Sequence, residues 1–204
     1  MPQKIILVRH GETQDNKERR FQGWKNTPLN TMGHEQAKKV AARFAHEKID
    51  AIYSSDLQRA LETAAHIAET LHMQVIPDFA LREHDMGIFT GWQREIEKDP
   101  VREQMWETMQ AARTQKNIHW KGHGGESLAD QSERVHAFLK KLDIIHQESV
   151  VMLVVHGGSM NRVVEYFRFK EIDEYRSYKN TAVSIIEKVD GVYKLKLDND
   201  ISHL

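Results

Sequence analysis

Two histidines stand where a strongly apolar run gives way to glycine. His10 ends Lys4-Ile5-Ile6-Leu7-Val8-Arg9 before Gly11, and His156 ends Val150-Val151-Met152-Leu153-Val154-Val155 before Gly157-Gly158. Ligands of open α/β sheets gather at the carboxyl ends of strands, so parallel neighbours would bring both imidazoles to one pocket. Arg9 puts a permanent cation beside the first imidazole, and Gly11 lets the chain turn sharply. A third strand-to-helix turn, Ser54-Ser55-Asp56-Leu57-Gln58-Arg59-Ala60, adds the free N–H groups of a helix start and a bidentate guanidinium fork. Imidazole among fixed cations suits a phosphoryl group held against a nucleophile. A neutral imidazole is nucleophilic near neutral pH, and two arginines with a second imidazole stabilise charge on the equatorial oxygens without a metal. Each motif alone has a plainer reading: a surface histidine after an edge strand, a histidine capping the next helix, a solvated arginine. Their joint occurrence favours chemistry.

The elements that must position these groups follow from periodicity. Residues 4–9 read as a strand, and residues 33–48 as a helix with Ala37, Val40, Ala41 and Phe44 inward. Residues 51–54 form a short strand. A helix follows, with Leu57, Ala60, Leu61, Ala64, Ile67, Ala68 and Leu71 on one face, capped by Ser55 or Asp56 so that Arg59 lies in its first turn. From about 84 to 125 the pattern weakens, Asp99-Pro100 is expected to break any helix, and the segment reads as a lid-like insertion over the sheet. Ser127 caps a helix striped by Leu128, Val135, Phe138, Leu139, Leu142 and Ile145. Residues 150–155 form the most apolar strand, expected centrally; a helix spans 157–168, and residues 182–198 form a hairpin across Asp190-Gly191. The expectation is one α/β domain over 1–204: a three-layer α/β/α architecture with a mostly parallel central sheet and a C-terminal hairpin.

Composition narrows the function classes. The chain has 204 residues, 40% hydrophobic and 29% charged, ordinary for a globular domain. Its 29 Lys+Arg against 30 Asp+Glu leave a net charge of −1, which argues against a dedicated nucleic-acid binder. With no cysteine there is no thiolate nucleophile, disulfide or Cys-based zinc site, which is compatible with a reducing cytosol. The apolar start is too short for a signal peptide and carries the His10 motif, and no run reaches membrane-spanning length; a cytoplasmic location is expected, with no membrane partner. Oligomeric state is not readable.

Taken in order, Arg9-His10-Gly11-Glu12-Thr13 with Asn16, Gln22-Gly23, Thr27-Pro28-Leu29-Asn30, Ser54-Ser55 through Arg59, Glu83 with Gly87 and Gly91, and Val155-His156-Gly157 resemble the histidine phosphatase superfamily, in its phosphoglycerate mutase-like branch. The resemblance implies that His10 takes the phosphoryl group on its ring. It implies that Arg9, Arg59 and His156 surround the phosphate, helped by Asn16, the Gln22-Gly23 turn and Gly157. Glu83 would protonate the leaving alkoxide and then activate water, a role that requires its carboxyl to carry a proton when phosphate is bound. Glu12 is the rival acid, ranked lower as a residue that orients an arginine. His84, next to Glu83, is expected to touch substrate. No cofactor is implied.

Mutases of this branch carry Glu-Arg-His-Tyr-Gly around the acid, whereas this chain has Glu83-His84-Asp85-Met86-Gly87. The insertion is also short, and its Arg94, Lys98 and Arg102 alternate with acids. These departures favour a phosphatase of small phosphate esters over a mutase, and a non-catalytic phosphate binder ranks third. Arg113, Lys116 and Lys121 form a basic stretch that would suit a carboxylated or doubly phosphorylated substrate. Phe21, Trp24, Met86, Ile88, Phe89 and Trp92 are candidate walls of an apolar cleft, with core packing as the alternative for half of them. His34, His46, His66, His72, His136 and His146 read as helix-surface residues, and His119 with His123 lacks the carboxylate a metal site would need.

Overall fold

In β1 (Lys4–Arg9), alternation sends Ile5 and Leu7 to one face and Ile6 and Val8 to the other, and all four are fully buried. A strand apolar on both faces needs cover on both. The computed structural model, which describes residues 1–169, 171 and 174–204, supplies it. The other strands are β2 (Ala51–Ser54), β3 (Val75–Pro77), β4 (Val150–Val155), β5 (Val183–Val189) and β6 (Val192–Asp200). They form one sheet in the order β3-β2-β4-β1-β5-β6. The β1–β4, β2–β4 and β2–β3 pairs are parallel, while β1–β5 and β5–β6 are antiparallel. β4 is central, as its apolar run predicts.

Helices α2 (Thr31–Arg43) and α3 (Gln58–Leu71) cover the face of Ile6, Val8 and Ile52 with Val40, Ala41, Ala64 and Ile67. Helices α5 (Leu128–Ile145) and α6 (Gly157–Tyr166) cover the face of Ile5, Leu7 and Leu153 with Val135, Leu139, Met160 and Val163. Each fully buried aliphatic side chain contributes on the order of 1.5–3 kcal/mol. The remaining helices are the four-residue α1 (Gln14–Lys17) and α4 (Pro100–Thr114). Among the described residues no helix is long and apolar enough to cross a membrane.

Several expectations need correction. The helix expected over 33–48 starts at Thr31, because the Asn30 side chain accepts from Gly33 N–H (2.8 Å), and it ends at Arg43, where Phe44 turns its ring into the core. α3 begins at Gln58 without a cap from Ser55 or Asp56. Asn26, thirty-two residues earlier, accepts from Gln58 N–H (2.7 Å), and Asp56 instead pairs with Arg82. Asp99-Pro100 starts a helix rather than breaking one: Asp99 accepts from Val101 and Arg102 N–H, and Pro100 takes the first-turn position where its missing donor costs nothing. The short edge strand β3 gave no periodic signal at three residues. Ser127 caps α5 with a full capping box, and Asp190 and Gly191 both have positive φ (53° and 79°), as a type I′ turn requires.

The 84–125 segment builds its own apolar cluster: Phe89, Trp92 and Met109 are buried, with Phe21, Met86, Trp106 and Trp120 against them.

Candidate active site

Arg9 lies opposite Val155 in the parallel β1–β4 register, so His10 and His156 leave the sheet side by side. Their ring centroids are 5.1 Å apart, tilted by 56°. The turn after His10 is fixed by Gly11 N–H donating to Thr63 Oγ1 (3.0 Å) and by Asn180 Nδ2 donating to the His10 carbonyl (3.1 Å). It settles directly on the start of α2: a Cβ on Gly11 would lie 2.5 Å from the Gly33 carbonyl oxygen, and one on Gly33 2.0 Å from that of Glu12. Both positions must be glycine for the strand tip to sit this deep.

His10 Nδ1 is 2.7 Å from the Gly11 carbonyl, which can only accept, so the proton is on Nδ1. The Nε2 lone pair is therefore free, and the ring lines a cavity of about 320 Å³. Burial, reinforced by Arg59 and Arg9, holds the His10 imidazole well below its usual pKa, and hence neutral. His156 is held low by burial, Arg59 and His10 in the same way. It lies behind the cavity wall, fully buried, with neither ring nitrogen bonded.

The cations are similarly unfinished. Arg9 donates through Nη1 to the Tyr178 carbonyl (2.6 Å), and its buried Nε has no partner. Arg59 is buried, and burial pushes its pKa down to about 10. Its Nη1 and Nη2 donate to the carbonyls of Lys25 (2.7 Å) and Gly23 (2.8 Å), again leaving Nε without a partner. The simple fork expected of Arg59 is thus corrected: the carbonyls of Lys25 and Gly23 already hold both tines of a side chain that lines the cavity. An unpaired buried polar group costs about 1–3 kcal/mol, so this cluster of them marks a ligand site.

Asn16 lines the cavity beside them; its Oδ1 accepts from Thr13 N–H and Asn180 Nδ2, which leaves its NH₂ to donate. Gln22 and Gly23 also line the cavity, Gln22 being held through Oε1 by Thr13 Oγ1 (3.0 Å). Gly157 is not on the wall; a Cβ there would meet only the Tyr175 hydroxyl at 3.6 Å, while Gly158 takes the lining position.

Glu83 lines the same cavity. Its Oε2 accepts from Gly158 N–H at the start of α6 (3.1 Å), and Oε1 accepts from His84 N–H (2.7 Å). Its backbone is clamped by Trp24 Nε1 (2.7 Å) and Arg134 Nη2 (2.8 Å), both donating to its carbonyl. Arg134 also holds the carbonyls of Ala80 and Arg82 and pairs with Glu126. Glu12 is elsewhere: its carboxylate accepts from Asn30 Nδ2 (2.8 Å) and fixes the start of α2, not an arginine. The His84 ring lines the cavity but stacks on His123, and burial drives its pKa down to about 3. Of the candidate apolar walls, Phe21 and Met86 line the cavity, whereas Phe89 and Trp92 are core. Among the described residues no three His, Asp or Glu side chains are grouped to hold a metal ion.

Sequence reading missed Arg134, Gln131, Arg162 and Tyr175, of which the last three line the cavity. A signal existed for two of them. Gln131 is a polar residue on the inward stripe of α5, and Arg162 lies four residues after Gly158, on its face of α6.

A family model described as histidine phosphatase superfamily (branch 1) matches residues 5–201. Phosphoglycerate mutase-like protein 4 of Arabidopsis thaliana is 34% identical over 204 residues, covering 98% of this chain and 86% of that protein. A probable phosphoglycerate mutase, GpmB, of Salmonella typhi is 39% identical over 161 residues, covering 79% and 73%. A mycobacterial glucosyl-3-phosphoglycerate phosphatase solved with VO3 has a TM-score of 0.84 at 25% identity, covering 98% of this chain and 100% of that one. A mutant phosphoserine phosphatase from Entamoeba histolytica, solved with phosphoserine, has a TM-score of 0.83 at 26% identity, covering 100% of both.

Proposed function

The chain belongs to the histidine phosphatase superfamily, and from that premise we propose that it is a phosphomonoesterase that hydrolyses small phosphate esters through a phosphohistidine on His10. The observation that carries this reading is the tautomer of His10. With Nδ1–H bound to the Gly11 carbonyl, Nε2 offers a lone pair to a cavity ringed by unpartnered donors.

In the proposed first step, Nε2 attacks phosphorus as the bond from phosphorus to the ester oxygen breaks. Arg9 and Arg59 neutralise the equatorial oxygens and the Asn16 amide donates to them, while His156 packs behind the His10 ring, so the charge that a metal would otherwise carry comes from side chains. The Glu83 carboxyl gives its proton to the departing alkoxide. In the second step, the Glu83 carboxylate takes a proton from water as its oxygen attacks phosphorus, the bond to Nε2 breaks, and inorganic phosphate leaves. The 84–125 segment would act as a lid that limits water and shapes the leaving-group side.

The names of the sequence relatives favour a second reading, a phosphoglycerate mutase in which the phosphoryl group returns to substrate. The Glu83-His84-Asp85-Met86-Gly87 run weighs against it. The test uses p-nitrophenyl phosphate with excess chelator, beside 3-phosphoglycerate with and without 2,3-bisphosphoglycerate. Steady phosphate release in chelator is expected. Interconversion of phosphoglycerates without release would overturn the phosphatase reading.

A further inference from the structure

Residues 176–182, between α6 and β5, belong to no helix or strand, yet side chains from elsewhere lock them in place. Asn161 of α6 exchanges two hydrogen bonds with one residue: its Oδ1 accepts from Arg176 N–H (2.8 Å) and its Nδ2 donates to the Arg176 carbonyl (2.9 Å). Asn199 of β6 does the same further on, accepting from Lys179 N–H (2.9 Å) and donating to the Ser177 carbonyl (3.0 Å). Thr181 Oγ1 gives its hydrogen to the Asn180 carbonyl (2.8 Å), so it accepts from His203 Nε2 (3.1 Å). Thr181 is fully buried and β-branched, but its φ is 53°, a left-handed backbone that such a residue adopts only when its surroundings compel it. Strain of this kind, held by so many bonds, asks what the turn delivers.

It delivers contacts to the phosphate end. The Tyr178 carbonyl accepts from Arg9 Nη1 (2.6 Å), and Thr181 N–H donates to the His10 carbonyl (3.2 Å). Asn180 Nδ2 donates to that same carbonyl (3.1 Å) and to Asn16 Oδ1 (3.1 Å). A carbonyl oxygen can only accept, so the His10 backbone fixes which end of the Asn180 amide faces it. That end, together with Thr13 N–H (3.2 Å), fixes Asn16 Oδ1 and turns the Asn16 NH₂ away from both. A chain of defined polarity thus runs from the backbone of the nucleophile, through Asn180, to a cavity-lining amide on α1. Asn180 itself is not on the cavity wall.

We infer that Asn180 is a positioning residue, which holds the Asn16 amide in register with His10 so that both meet one phosphoryl group. The inference rests on the phosphomonoesterase reading, in which the Asn16 amide donates to an equatorial oxygen. Without Asn180, Asn16 keeps its bonds to Thr13 within its own turn but loses its tie to the strand tip that carries the nucleophile. The His10 carbonyl is still held by Thr181 N–H, so the loss falls on Asn16.

The test is a double-mutant cycle read as kcat/KM on p-nitrophenyl phosphate. Asn180→Leu removes both donations at similar size, and Asn180→Ala removes them with a smaller side chain should leucine not fit. Asn180 is part-buried and precedes β5, so its replacement leaves the strand pairs in place. Either variant is expected to lower kcat/KM by about 10- to 100-fold, the usual worth of a hydrogen bond to a charged group. In an Asn16→Ala background the same replacement is expected to cost less than about threefold, because the group it acts through is gone. A merely structural role would cost the same in both backgrounds. Equal losses in the two backgrounds, or a loss under about threefold beside an intact Asn16, overturn the inference. Absence of phosphate release by the unaltered protein would instead count against the phosphomonoesterase reading. The same cycle read as calorimetric affinity for inorganic phosphate then still tests Asn180, and additive losses would overturn its role.

Discussion

Gly158→Ala separates catalysis from stability at one position. A Cβ there would stand 2.0 Å from Glu83 Oε1 and 3.1 Å from Glu83 Cδ, where ordinary contact begins at 3.4 Å. The carboxylate must withdraw by at least 1.4 Å, the difference between contact and clash. The atom displaced is the far end of a flexible side chain, so the backbone need not move. Gly158 lies in the first turn of α6 without a left-handed backbone, and alanine is the better helix former by about 1 kcal/mol. The melting temperature is therefore expected to hold or rise.

Catalysis is expected to suffer, because a misplacement of about 1 Å costs about 100-fold, or about 2.7 kcal/mol of barrier. The assay is kcat/KM, which reports phosphorylation of His10, on glycerol 3-phosphate and on p-nitrophenyl phosphate. The alkyl ester needs a proton on its leaving oxygen and should lose about 100-fold or more. The p-nitrophenolate ion leaves without one and should lose far less. Vanadate binding should persist. If both esters lose equally, or the alkyl ester stays within threefold of wild type, Glu83 is not the proton donor.

His10→Ala should abolish turnover together with the acid-labile phosphoenzyme, and persistent ³²P labelling would move the nucleophile elsewhere. Glu83→Gln should lower kcat by about 100- to 10,000-fold; an unchanged rate would hand the role to another acid. Arg134→Met should lower kcat on alkyl esters more than on p-nitrophenyl phosphate, since it releases the Glu83 carbonyl without touching the phosphate end; a loss confined to KM would refute that positioning role. His10 and His156 have folded pKa values well below 6.5, so the unfolded chain gains protons first as pH falls. Their contribution is complete above pH 6.5 and is lost below it, at about 1.4 kcal/mol per pH unit for each. Urea midpoints between pH 7.5 and 5.5 should fall steeply, and His10→Asn should reduce the slope by about one proton.

What the sequence made legible is what is local. A strand that ends in histidine and glycine declares its tip, and parallel pairing of β1 with β4 then follows from their shared two-sided burial, which brings His10 to His156 without long-range information. The Asp99-Pro100 start of α4 was equally local but admits two readings, since proline breaks a helix interior and begins a helix with equal ease. Non-local partners were out of reach. Asn26 caps α3 from a separate loop, and Arg134 reaches three carbonyls of the 80–83 segment from half a helix away. Neither leaves a periodic trace.

The division has a physical consequence for how such a site can diverge. The phosphate end is fixed by backbone: the Gly11 carbonyl sets the tautomer of His10, and the carbonyls of Gly23 and Lys25 hold Arg59. Side-chain substitutions elsewhere leave those acceptors in place. The cavity is lined also by side chains on α4, α5 and α6, namely Arg113, Gln131 and Arg162. Arg113, Gln131 and Arg162 can therefore be exchanged one at a time while the phosphate cradle stays intact. On the proposed function, a replacement on α4 should therefore change which alcohol is released without changing how the phosphoryl group is taken.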